Sequence, residues 1–210
     1  MVEQGAEEGR SARKRRAILD AARTVFLRHG YAGTNMDQIA ALAAVSKQTI
    51  YKHFTDKARL FAEIITADIG DAEAQTRAEV DALADSDDLA MDLQQFARRH
   101  LADVMQPHLV QLRRVVIGAA AAFPDLARTW AEQGPERGHA ILAERFDALA
   151  RRGLLRLDDP LLAAEHFNWL VLSIPLNRAM FSGDEAPFAP SELDHFADAG
   201  VRVFLAAYGA

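Results

Sequence analysis

Apolar residues recur every three to four positions along most of the chain, and no strand-length run alternates apolar with polar. That period is helical, so an all-α fold is expected. Ser11 can cap a first helix reaching about His29, with Ile18, Ala21, Ala22, Val25 and Phe26 on one face and Gly30 as its stop. Residues 1–10 are Gly- and Glu-rich without apolar periodicity and are expected as a disordered tail. Thr34 with Asp37 three residues on reads as a capping box ahead of Ile39, Ala40 and Ala43. The chain then turns at Ala44-Val45, where an alanine predicts a turn without positive φ. Ser46 caps a short helix over Lys47 to Phe54, with Ile50 and Phe54 facing inward. A fourth helix follows the Asp56 cap, apolar at Leu60, Phe61, Ile64 and Ile65 and acidic from Asp68 to Asp85.

Six further helices are predicted over roughly 88–105, 107–122, 124–133, 135–152, 159–181 and 190–208. Pro107, Pro124, Pro135, Pro160 and Pro190 each suit a first helical turn. Gly134-Pro135 predicts a break or kink, Gly153 a helix end, and Gly183 to Pro190 a loop carrying Asp184 and Glu185. The expected organisation is a three-helix helix-turn-helix domain over 11–57, its motif at about 34–53, joined to a helical bundle over 58–210.

Charge divides along the same line. Ser11 to Lys57 holds nine Lys/Arg against three Asp/Glu, whereas Ala58 onward holds 14 Arg against 24 Asp/Glu. A basic head on an acidic body orients a polyanion toward one end. Arg13 to Arg16 is a basic run at the expected start of the first helix, where its clash with the helix dipole favours an external anion.

The short helix supplies the matching chemistry. A helix N-terminus suits phosphate, and long donors in its first turns reach base edges in a major groove. Lys47, Gln48, Thr49 and Lys52 are the candidate base readers; Thr34, Ser46, Tyr51, His53 and Lys57 are the candidate phosphate contacts. A lone Lys47 or Lys52 would ordinarily be a solvated surface charge; the surrounding motif changes that reading. The expected partner is double-stranded DNA.

The stretch resembles the TetR family of bacterial regulators at Thr34, Ile39-Ala40, Ala43, Val45-Ser46, Ile50-Tyr51, His53-Phe54, Lys57 and Leu60. It departs at Ala44, where the family usually has Gly, and at Gln48, where a small residue is frequent. Leu112 to Gly138, through FPDLAR and GPER, resembles the C-terminal domain of the AefR-like subgroup. The resemblance implies a one-component regulator, here expected to repress from a palindromic operator and to be released by a small-molecule effector. An activator is the nearest alternative and an all-helical enzyme a remoter one. No nucleophile elbow, Gly-rich phosphate loop or HExxH motif is present, so no enzymatic role is expected.

The helix over 159–181 is apolar on nearly every side, which calls for cover by a second subunit. Phe167, Leu170, Ile174, Phe196, Val201 and Phe204 are the candidate homodimer interface. His100, Met105, Arg113, Phe123, Trp130, Trp169, Ser173 and Asn177 mix apolar and polar groups as the lining of a pocket for an apolar or aromatic effector. With no cysteine there is no disulfide or thiolate metal site, and no metal or cofactor is expected. No apolar run spans a bilayer and no signal peptide is recognisable, so a cytoplasmic protein without membrane contact is expected.

Overall fold

The computed structural model describes residues 2–83, 86–182 and 187–210, and among these all extended regular structure is helical. The elements are α1 (Val2–Gly33), α2 (Met36–Leu42), α3 (Lys47–His53), α4 (Lys57–Leu83), α5 (Leu89–Val104) and α6 (Pro107–Ala119). They continue with α7 (Pro124–Ala131), a π-helical turn (Glu132–Glu136), α8 (Arg137–Arg151), α9 (Pro160–Phe181) and α10 (Pro190–Tyr208). Part of the expected 183–190 loop, with Asp184 and Glu185, lies outside the described residues, as do the side chains of most of the acidic half of α4.

The chain forms two compact units. The first comprises Met1–Asp68 and Leu112–Trp130; the second comprises Ile69–Gln111 and Ala131–Ala210. The first division falls inside α4, between Asp68 and Ile69, and residues 112–130 return to the first unit.

In the first unit α1 packs on α2 and α3. Its predicted core face is buried at Ile18, Ala21, Ala22, Val25 and Phe26. The helix begins at Val2, where a tail was expected, because Glu3, Gln4, Ala6, Glu7 and Glu8 are good helix formers that extend an anchored helix at little cost. Arg13 to Arg16 therefore lie within α1, away from its N-terminus, and the dipole argument for an anion there falls away. Gly30 breaks the helix at φ 69°. Phe26, Tyr31 and Phe61 pack as an aromatic cluster that Phe123 joins, its ring centroid 4.4 Å from that of Tyr31.

In the second unit α9 is clasped by α8 and α10, and α10 also packs on α5. Phe96, Phe146, Phe167 and Phe204 meet ring to ring at its centre. A Cβ on Gly200 would lie 2.9 Å from the Leu170 carbonyl, so α10 rests directly on the α9 backbone. At Gly134-Pro135 the expected break is a π-helical turn that carries Pro135 without unwinding the chain. Gly153 ends α8 at φ 76°.

The residues expected at an interface need correction here. Phe167, Val201 and Phe204 are fully buried within one chain, and Leu170 and Phe196 are partly covered; of the expected interface only Ile174 is exposed. Periodicity marks a face as buried without saying which chain buries it. The residues expected to line a pocket are divided between the two units. Arg113, Phe123 and Trp130 belong to the first unit, with the Arg113 guanidinium over the Trp130 ring. Trp169, Ser173 and Asn177 stand on the exposed face of α9. His100 and Met105 alone lie on the buried side of the second unit, His100 in part and Met105 fully.

Candidate nucleic-acid interface

The capping residue of α2 is Asn35, whose Oδ1 accepts from the Gln38 N–H at 2.9 Å while the Asn35 N–H donates to Gln38 Oε1 at 3.0 Å. Asn-x-x-Gln is as good a capping box as the Thr-x-x-Asp one position earlier, so sequence alone misplaced the start by one residue. Thr34 is buried, and its hydroxyl donates to the Gly30 carbonyl at 2.7 Å. It is a bolt between α1 and α2 and has no face for phosphate.

At the turn the expectation for Ala44 is overturned: its φ is 52°. A left-handed alanine costs about 1–2 kcal/mol relative to right-handed backbone. The turn is held closed by the Val45 N–H donating to the Ala40 carbonyl at 3.1 Å.

Ser46 caps α3, its Oγ accepting from the Thr49 N–H at 3.1 Å. Ile50 and Phe54 are buried beneath, and the Arg15 guanidinium lies 5.3 Å over the Phe54 ring while it pairs with Glu63. The register of α3 is thereby set from below, leaving Lys47, Gln48, Tyr51 and Lys52 exposed. Thr49 is half-buried with its hydroxyl 2.8 Å from Ser46 Oγ, and His53 is half-buried beside Phe54. Lys47 Nζ bonds Asp37 on α2 at 2.9 Å, which raises its pKa. Both partners are solvent-exposed, so a phosphate or base edge competes with this bridge at small cost.

Lys57 does not point outward. Its ammonium donates to the Tyr31 carbonyl at 2.8 Å and the Thr34 carbonyl at 2.9 Å, and lies 4.6 Å over the Tyr31 ring. Burial lowers its pKa. It ties the start of α4 to the α1–α2 junction, filling carbonyls left open where Gly30 breaks the helix.

A cap, a buried anchor and four outward donors on a seven-residue second helix define a helix-turn-helix DNA-binding module. Residues 18–64 match the model for bacterial regulatory proteins of the tetR family, and residues 91–210 match that for the AefR-like transcriptional repressor C-terminal domain. The chain belongs to the TetR family of transcriptional regulators.

A crystal structure of a putative TetR-family regulator from Mesorhizobium loti is 43% identical, with a TM-score of 0.89 over 96% of this chain and 99% of that one. The flavonoid-responsive regulator FrrA is 30% identical, with a TM-score of 0.73 over 94% and 98%. HTH-type transcriptional repressor SCO4008 of Streptomyces coelicolor is 28% identical over 80% of this chain and 84% of its own. The regulator YhgD of Bacillus subtilis is 47% identical over 53 residues, a match spanning 25% of this chain and 28% of that protein. Among the described residues no helix is long and apolar enough to cross a membrane.

Proposed function

We propose that the protein is a homodimeric repressor that binds a palindromic operator through α3 and is released by a small apolar or aromatic effector held in its second unit. The observation that carries the DNA half is the exposure of Lys47, Gln48, Tyr51 and Lys52 on a helix whose opposite side is locked by Ile50 and Phe54. Lys47 and Gln48, in the first turn, read base edges; Tyr51 and Lys52 hold the backbone. The repressor sense is supported by SCO4008, a repressor by name, and the effector class by FrrA, which is flavonoid-responsive by name.

The dimer reading now rests on different residues. Leu162, His166, Trp169, Ser173 and Asn177 recur at three- and four-residue steps on the exposed side of α9, flanked by Ile174 and Phe181; Val203 is exposed on α10. A second copy of the same face covers these groups in an isologous contact.

Selection of bound duplexes from a random pool tests the reading. Enriched sites should hold inverted half-sites separated by one helical turn of about 10 base pairs or a multiple. Gln48→Ala should relax preference at one position per half-site, by roughly 1–3 kcal/mol. Absence of any enriched inverted repeat, or an unchanged preference in both Lys47→Ala and Gln48→Ala, would refute it.

A further inference from the structure

The cations of the first unit are not confined to α3. Five of the seven residues from Arg10 to Arg16 are Lys or Arg, and no acid occurs between Glu8 and Asp20. Arg13, Lys14, Arg15 and Arg16 are all exposed, on a helix that runs unbroken from Val2 into the core face at Ile18. This end of α1 lies ahead of residues 18–64, the segment that matches the family model.

Arg15 fixes where this end of the helix stands. Its guanidinium lies 5.3 Å over the ring of Phe54, the C-cap of α3, and pairs with Glu63 on α4. Glu63 is also held by Arg59 at 3.4 Å. Lys14 and Arg16, the chain neighbours of Arg15, leave the helix about 100° to either side of it. At about 1.5 Å per residue, α1 reaches Arg10 roughly 7.5 Å beyond Arg15. The charge of Arg15 is answered within the unit; among the described residues neither Lys14 nor Arg16 is ion-paired.

Packing gives no reason for this cluster. Arg10 with Arg13, Arg10 with Lys14, and Arg13 with Arg16 are like charges three or four residues apart, which repel along a helix. We propose that Arg13, Lys14 and Arg16 form a second DNA contact, a cationic helix end that rests on backbone phosphate outside the bases read by α3. This rests on the reading of α3 as the DNA-contacting helix. Phosphate is the partner because these cations mix Lys with Arg and radiate from three sides of the helix, so they cannot converge on one base pair. A duplex carries a phosphate charge about every 1.7 Å of its axis, which offers each cation a partner without a fixed geometry. The Arg15 anchor matters too: charges on an ordered helix lose little chain entropy on binding, whereas a loose tail would lose much.

The probe is the operator duplex enriched by selection, made in two lengths. One is trimmed at the outer ends of its half-sites; the other carries about ten further base pairs, one helical turn, on each side. Affinity is measured across a salt series for the native chain and for R13Q/K14Q/R16Q, which keeps Arg15 and its ion pair. On the long duplex the log–log salt slope of the variant should be shallower by about 1.8, the equivalent of two phosphates. On the trimmed duplex the two proteins should have equal slopes. Base preference should not change, because phosphate carries no sequence information directly. R13K/R16K should behave as the native chain, since phosphate accepts from either cation.

Equal slopes on the long duplex, an equal loss on the trimmed one, an altered base preference, or a loss of slope in R13K/R16K would each overturn the proposal. Removal of mutually repelling charges should leave the melting temperature unchanged or higher; a fall would mean that these cations serve the fold, which also overturns it. Lys47→Ala, scored on the same duplexes, should weaken both lengths alike and reports on α3 itself. A failure of the helix end is thus distinct from a failure of the DNA reading.

Discussion

Replacing Lys57 with methionine separates two physical roles that the sequence could not tell apart. As a phosphate clamp, Lys57 would contribute to DNA binding and little to folding. As observed, its ammonium bridges two backbone carbonyls at 2.8 and 2.9 Å and covers the Tyr31 ring. A hydrogen bond from a charged donor contributes about 1.5–3 kcal/mol. These carbonyls are only part-buried and regain water when the donor leaves, so about 1 kcal/mol each is the better figure here. The cation–π contact adds roughly 0.5–1 kcal/mol. Desolvation of the ammonium, which lowers its pKa, offsets part of the sum, leaving about 2 kcal/mol. For a chain of 210 residues this is a fall of about 4–8 °C in melting temperature. The assay pairs thermal melting with operator affinity across a salt series. Loss of one phosphate contact would flatten the salt slope by about 0.9. An unchanged melting temperature with a flattened slope would refute the internal role and restore the phosphate one.

Other changes test single contacts. Ala44→Gly should stabilise the turn by about 0.5–1 kcal/mol, because relief of a left-handed alanine outweighs the extra freedom glycine gives the unfolded chain; urea denaturation checks the sign. Gly200→Ala should destabilise by about 1–3 kcal/mol in the same assay, since the new methyl meets Leu170 backbone that cannot rotate away. Trp169→Glu should leave the fold intact and shift sedimentation from dimer to monomer, because Trp169 is exposed within one chain and a charge there opposes its symmetry mate. Burial depresses the pKa of both His100 and His139 from 6.5, so the unfolded chain takes up their protons first as pH falls. Their contribution is present above that value and is lost as pH falls through it toward the folded pKa values. Melting temperature should drop between about pH 7.5 and 5.5 at constant ionic strength, and less steeply in His139→Leu.

Local pattern determined what each segment would be. The core face of α1, the Ser46 cap, the inward Ile50 and Phe54, and the stop at Gly153 all follow from spacing and from the backbone preferences of single residues. The class of the protein was legible for the same reason: a helix-turn-helix is a short, contiguous motif whose contacts lie within about thirty residues. What neighbours each residue meets across a long sequence separation was not encoded in any window. Lys57 and Thr34 look like surface groups until α1 breaks at Gly30 and presents carbonyls to them. Ala44 hides its positive φ because the turn is imposed by the packing of α2 and α3, which overrides the preference of one alanine. On α9 the periodicity shows an apolar helix on every side, and only packing against α8 and α10 shows that Phe167 is covered within the chain while Trp169 is exposed.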